Sequence, residues 1–230
     1  HNSFREFAPC GALIFRGVAF EFRSKIGSPK WRSGWDSAIA VSSFLAAFLL
    51  GVVFTNLVRG VPIDQNQIYT GTFFTLLNPL SLLGGITMAA VFLLHGANFL
   101  SLKLTDNLRE RASKFASSIW IVSFLTAGCY LLLLILTTSA FLQKGVSSMF
   151  LPFLAVVALL LSRLFIRSKN EGAAFAATGL AIVFTIAGLF TALFPNVMIS
   201  STAADFNLTI YNASSSPYTL KVMSVVAAVM

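Results

Sequence analysis

The sequence predicts an all-α polytopic membrane protein, a transmembrane helix bundle with five complete helices plus two partial ones. Three observations predict it. Of the 230 residues 57% are hydrophobic and only 10% are charged, whereas a soluble domain carries roughly 25% charged residues. The mean hydropathy is +0.83. The apolar residues also come in runs of crossing length, and a hydrocarbon core takes about 20 residues of helix. Finally, Lys and Arg gather in every second connection between those runs.

The elements follow in order, as a single transmembrane domain over 1–230. Residues 10–22 are too few to cross and read as the last part of a partial helix. A basic loop with Arg23, Lys25, Lys30 and Arg32 comes next, with Trp31 and Trp35 beside it. Residues 36–58 form the first complete helix, and 59–78 are polar and turn-rich, with Pro62, Asp64 and Gly71. Residues 79–102 cross again and contain His95. A second basic loop holds Lys103, Arg109, Arg111 and Lys114. Residues 116–142 are long enough to cross with tilt. A turn over 143–148 leads into a crossing over 149–166. Arg163, Arg167 and Lys169 mark the third basic connection. Residues 173–194 cross once more, 196–217 carry no Lys or Arg, and 218–230 begin a last, partial helix.

The connections between the basic ones hold Arg59, Lys144 and, in the last case, no cation. Aromatic residues beside Lys and Arg mark the membrane boundary, and basic loops mark the cytoplasmic side. The spans are apolar on all sides and lack the alternation of a barrel, so backbone groups in lipid must pair within helices. The net charge of +8 belongs to these short loops, reads as a topology signal and excludes a nucleic-acid footprint. Cys10 and Cys129 fit neither a disulfide framework nor a metal site. The chain starts at His1 and stops at Met230 inside an apolar run, as expected of a fragment of a longer protein.

The embedded polar groups are the candidate site residues. Arg16 lies about 10 Å along a helix from Arg23, below the headgroup plane. Such a residue faces a protein interior with a partner, or else snorkels to the interface. Glu21 and Lys25 have the spacing of a helical pair, and Asp36 suits a helix N-cap. His95, Asn98 and Thr87 share one helix face and must point to a bundle interior or another subunit. One embedded histidine cannot make a bis-histidine haem or a multi-histidine copper site, and Met88, Met198 and Met223 read as packing. Ala173, Ala177 and Ala181 form a small-residue ridge for close helix approach. The sequons at Asn207 and Asn212 are too short to carry weight. No phosphate loop, catalytic triad or paired catalytic carboxylates occur.

Several stretches together carry a resemblance. They are FRGVAFEFRSK from Phe15, the following Trp31, Trp35 and Asp36, and Gly51, Phe54 and Asn56 with Gly60-Val61-Pro62-Ile63-Asp64. Further on come Tyr69-Thr70-Gly71, Leu77-Asn78-Pro79, His95-Gly96-Ala97, Phe194-Pro195, Asn212-Ala213-Ser214-Ser215 and Tyr218-Thr219-Leu220. In family order and over nearly all of the chain after about Gly11, these resemble subunit II of cytochrome bd quinol oxidase. The resemblance implies a longer subunit, of which this chain would run from the end of the third helix into the ninth. It implies a partner, subunit I, that carries haem b, haem d and the quinol site, with no cofactor bound by this chain itself. The complex would oxidise quinol and reduce dioxygen to water in the respiratory electron transport of a bacterial or archaeal inner membrane. Protons would come from the cytoplasm, and Arg16 matches the family arginine implicated in their entry. The family's proton-path acids on its first two helices have no counterpart here, so the chain alone would not be active. Membrane lipid, and room for a small accessory subunit, complete the implied partners. The alternatives are a secondary-transporter fragment, for which Gly84-Gly85 would break one span, and a purely structural membrane subunit in which Arg16 only packs.

Overall fold

The computed structural model describes residues 3–66, 68–138 and 146–229. The helices are α1 (Ser3–Arg23), α2 (Pro29–Arg59), the short α3 (Phe73–Leu76), α4 (Pro79–Lys103), α5 (Asp106–Thr137), α6 (Val146–Arg167), α7 (Glu171–Leu193) and α8 (Pro217–Val229). Five of them, α2, α4, α5, α6 and α7, are long and apolar enough to cross a membrane. The fold is that of an all-α polytopic membrane protein.

Two helices start well before their apolar runs. α2 begins at Pro29, seven residues ahead of Asp36, because Ser28 in extended conformation with Pro at the first helical position is a start signal in its own right. Asp36 is therefore inside the helix and caps nothing. α5 begins at Asp106 after Thr105 rather than at 116. Hydropathy measures the thickness of the hydrocarbon core, while backbone bonding carries each helix on into the headgroup layer. The expected end of the 116–142 run over 139–142, the turn up to 145 and Lys144 lie outside the described residues, as does His1. α6 takes in residues 146–148 of the expected turn, and it also contains Arg163, one turn before its end. α4 runs unbroken through Gly84-Gly85. In lipid a broken helix would orphan backbone groups, and these glycines serve a close contact with α2 instead.

The connections separate cleanly onto two ends. At one end Arg109 of α5 meets Glu171 of α7, and Arg23 meets Asp36. At the other, the stretch after α2 pairs with the stretch after α7: Val61 N–H donates to Ile199 O at 3.0 Å, and Ser201 N–H to Val61 O at 2.9 Å. Lys103 and Asn207 thus lie at opposite ends, as the loop charges require. The second end carries all the β structure among the described residues. It is a small antiparallel ribbon of β1 (Asn196–Met198) and β2 (Leu208–Thr209), with isolated bridges Val61–Ser200 and Ile63–Tyr69. Gly60 makes the turn out of α2 with φ of 97°, a conformation that favours glycine.

Two apolar clusters hold the bundle. One joins Val58, Leu80, Tyr130, Leu134, Leu189 and Ala192. The other, nearer the basic end, includes Leu94, Ala97, Ala158, Leu159, Ala174 and Ala181. The buried small-residue line on α7 is Ala174, Ala177, Ala181 and Gly188, with Ala173 only half-buried at its edge. A Cβ on Gly188 would stand 2.9 Å from Pro152 Cδ, so α6 and α7 approach closely there.

Candidate functional site

The basic end is built on the α1–α2 hairpin. Arg23 donates from Nε and Nη2 to the two carboxylate oxygens of Asp36, the second bond at 3.3 Å. The Asp36 hydrogen bond, and then its charge, raise the Arg23 pKa further, against a small loss from desolvation. Trp31 Nε1–H donates to Phe22 O at 3.0 Å. Trp35 packs between Phe15, Phe22 and Trp31, with ring centroids at 6.3, 5.6 and 5.7 Å. The two tryptophans and the aspartate are thus a clamp that holds α1 against α2. α1 ends at Arg23, so Lys25 is off the helix and the Glu21–Lys25 spacing is not that of a helical pair. Glu21 is exposed, and its carbonyl accepts from the Ser24 hydroxyl at 3.2 Å.

Arg16 stands two turns deeper on α1 than Arg23. Its side chain is exposed, with Cζ 5.8 Å from the Phe20 ring centroid. Among the described residues the ion pairs are Arg23–Asp36, Arg109–Glu171 and Lys114–Glu110, and Arg16 is in none of them. Asp36 is already committed to Arg23.

His95, Asn98 and Thr87 do not converge. His95 Nδ1 is 2.9 Å from Thr178 Oγ1, and its ring stacks on Phe175 at 4.5 Å. Thr178 Oγ1 also lies 3.1 and 2.9 Å from the carbonyls of Ala174 and Phe175. Its single proton suits those acceptors, which leaves its lone pair to accept from His95 Nδ1–H. This histidine ties α4 to α7. Thr87 donates to Leu83 O at 2.8 Å on its own helix. Asn98 is buried at 1% exposure, and its amide nitrogen has no hydrogen-bond partner among the described residues. An unpaired buried donor destabilises by about 1–3 kcal/mol. Asn98→Leu is therefore expected to leave the melting temperature of the purified protein unchanged or raised; a drop of several degrees would mean that the amide has a partner outside this chain.

Between α2, α4, α5, α6 and α7 lies an apolar cavity of about 110 Å³, with Gly51, Gly84, Thr87, Tyr130, Pro152 and Thr185 among its lining residues. Tyr130 hydroxyl and Thr55 Oγ1 are hydrogen-bonded at 3.0 Å beside it. Ligand sites for drug-sized molecules run from roughly 300 Å³ upward, so a porphyrin does not fit this space. His95 is not on its wall, and no group of three His, Cys, Asp or Glu side chains that could hold a metal occurs among the described residues. The residues here do not fit a haem.

The long-range partners were not readable from spacing. Thr178 is a plain threonine in an alanine-rich span, and Arg109 and Glu171 lie 62 residues apart.

Comparison with known proteins gives consistent matches. The sequence model of the family described as "Cytochrome bd terminal oxidase subunit II" matches residues 7–230. The chain is 39% identical to "Cytochrome bd ubiquinol oxidase subunit 2" of Bacillus subtilis (strain 168), over 94% of this chain and 64% of that protein. It is 34% identical to "Probable cytochrome oxidase subunit 2" of Haemophilus influenzae, over 95% of this chain and 66% of that protein. It is 33% identical to "Cytochrome bd-I ubiquinol oxidase subunit 2" of Escherichia coli K12, with the same coverage of 95% and 66%. The chain therefore spans just under two thirds of the length of these curated relatives.

Proposed function

The chain belongs to the cytochrome bd terminal oxidase subunit II family, and from that premise we propose that it serves as the non-haem subunit of a quinol:oxygen oxidoreductase. The match over residues 7–230 carries this reading. The complex oxidises quinol and reduces dioxygen to water, and the electron and oxygen chemistry belongs to a haem-bearing subunit I. This chain packs beside that subunit in the cell membrane, with its basic end toward the cytoplasm.

Its own residues contribute to proton uptake. Arg16 supports this role through its position. It is a cation about 10 Å further into the membrane than Arg23, exposed, and without an acid partner among the described residues. Charges at that depth face a subunit interface or a water-filled path. The Trp31–Trp35–Asp36 clamp fixes α1 and so fixes the level of Arg16. A permanent cation there holds water and favours the ionised form of a nearby carboxylate on the partner side, as a proton entry requires. The reading in which Arg16 only packs makes a different prediction.

Arg16→Gln in the full-length complex is expected to lower quinol-dependent oxygen consumption severalfold while the haem absorption spectrum stays intact. Arg16→Lys, which keeps the charge, is expected to retain more of the rate. Unchanged turnover in Arg16→Gln would reduce this residue to a packing role.

A further inference from the structure

Arg163 stands apart from the site above. It lies one turn inside the end of α6, half-buried against α5. Nη1 donates to Ser117 O at 2.9 Å and to Ser117 Oγ at 2.6 Å. Its Cζ sits 5.1 Å from the ring centroid of Trp120. Trp120 is itself held, donating from Nε1 to Leu159 O at 2.9 Å and stacking on Phe124 at 5.0 Å. The guanidinium is therefore fixed in place, unlike a free surface arginine.

Its bonds use one nitrogen and reach only neutral acceptors. A guanidinium has five N–H donors in a planar fork, and Nε and Nη2 have no protein partner among the described residues. Of the acids at this end, Glu110 is paired with Lys114 at 2.8 Å, Glu171 with Arg109 at 2.7 Å and Asp36 with Arg23, while Glu21 lies on α1, which packs on α2. Asp106 is three turns from Ser117 along α5. Exposed Arg167 follows on the same face of α6. Toward the membrane the neighbour one turn back is apolar and exposed, Leu160 at 43%, while exposed Leu164 lies one residue on the loop side of Arg163. The site thus has a fixed cation with an open bidentate edge, a second cation below it, an interfacial tryptophan, and greasy surface above.

We propose that Arg163 seats an anionic glycerophospholipid of the leaflet on the basic side, its phosphodiester on the Nε–Nη2 edge and its acyl chains running over Leu160 into the bilayer. Bidentate pairing with phosphate is what the arginine fork is shaped for. The depth and the exposed Leu160 select a lipid over a soluble anion. No carboxylate competes for the edge, and a zwitterionic headgroup gains less from the paired cations.

The test uses the delipidated full-length complex in detergent. Phosphatidylglycerol, phosphatidylcholine with the same acyl chains, and inorganic phosphate are added separately. Melting temperature and the lipid retained in native mass spectra are recorded. Phosphatidylglycerol is expected to raise the melting temperature and stay bound, the other two much less. Arg163→Gln should weaken phosphatidylglycerol binding about fivefold, and Arg163→Lys less. Leu160→Glu puts a carboxylate within one turn of Arg163 and should displace the lipid while keeping the bundle, which covers the case that Arg163→Gln does not accumulate. Equal effects of the two lipids, a shift reproduced by phosphate alone, or full phosphatidylglycerol binding in either Arg163→Gln or Leu160→Glu would overturn the assignment.

Discussion

Gly51→Ala is expected to be among the most damaging single-methyl changes in this chain. A Cβ on Gly51 would meet Gly84 O at 2.5 Å, Gly85 Cα at 2.8 Å and Met88 Cβ at 2.8 Å. Two of these are backbone atoms of α4, so no rotamer change relieves the contact. α2 and α4 would have to part, and the separation would spread to the Thr55–Tyr130 hydrogen bond at 3.0 Å. Overpacking of a tight core costs about 1–3 kcal/mol, and a backbone-on-backbone contact belongs at the upper end. The measurement is the melting temperature and yield of the solubilised full-length complex. Gly96→Ala is the control, because a Cβ there meets nothing within 4 Å, and it should be silent. Equal behaviour of the two variants would refute the close crossing.

This crossing shows what a sequence can and cannot disclose. Gly51, Phe54 and Asn56 were legible as a family resemblance but gave no physical reason for their spacing. For Gly51 the reason is a contact with Gly84 and Gly85, more than 30 residues away. The five crossings were legible because a membrane sets one length scale and every run obeys it. The helix starts at Pro29 and Asp106 were not, since hydropathy is blind to bonded turns outside the lipid. The alternation of basic connections was legible for the same reason as the crossings, and the two ends of the bundle carry the loops it assigned to them.

Candidate site residues were less readable. Asp36 looks like a cap in sequence because it opens an apolar run. In space it faces Arg23, thirteen residues back, across a turn that spacing rules do not cover. His95 finds Thr178, 83 residues on, and nothing in either local stretch announces the pair. Asn98 shares the predicted face with His95 yet shares no bond with it. Arg163 looked like a loop charge and is a helix residue held by Ser117 and Trp120. For Arg16 the spacing gave its depth, and the structure gives its exposure and its want of an acid among the described residues.

The second large effect is expected at Asn56, which is buried at 5% exposure at the end of α2 opposite the basic one. Its amide nitrogen donates to Val52 O and Leu76 O, both at 2.8 Å. Its carbonyl oxygen accepts from Asn78 Nδ2 at 2.9 Å, and Asn78 Oδ1 caps α4 by accepting from Ser81 N–H at 3.0 Å. One side chain thus joins the body of α2, the end of α3 and the start of α4. Asn56→Ala removes three hydrogen bonds from this junction and leaves half-buried Asn78 Nδ2 with only its long 3.5 Å bond to Leu76 O. Polar groups left underpaired in such a site cost about 1–3 kcal/mol. Asn56→Asp is expected to be worse, although it is the smaller change in shape. It sets a carboxylate oxygen against two carbonyl oxygens where an N–H₂ stood, and a buried charge facing acceptors has nothing to offset its desolvation. Ser37→Ala is the control, since that exposed hydroxyl donates only to Ser33 O at 3.0 Å. Thermal unfolding of the purified complex should rank the variants as control, then Asn56→Ala, then Asn56→Asp in increasing loss. An Asn56→Asp complex as stable as Asn56→Ala would mean that water reaches this junction and that the three helix ends are held by packing alone.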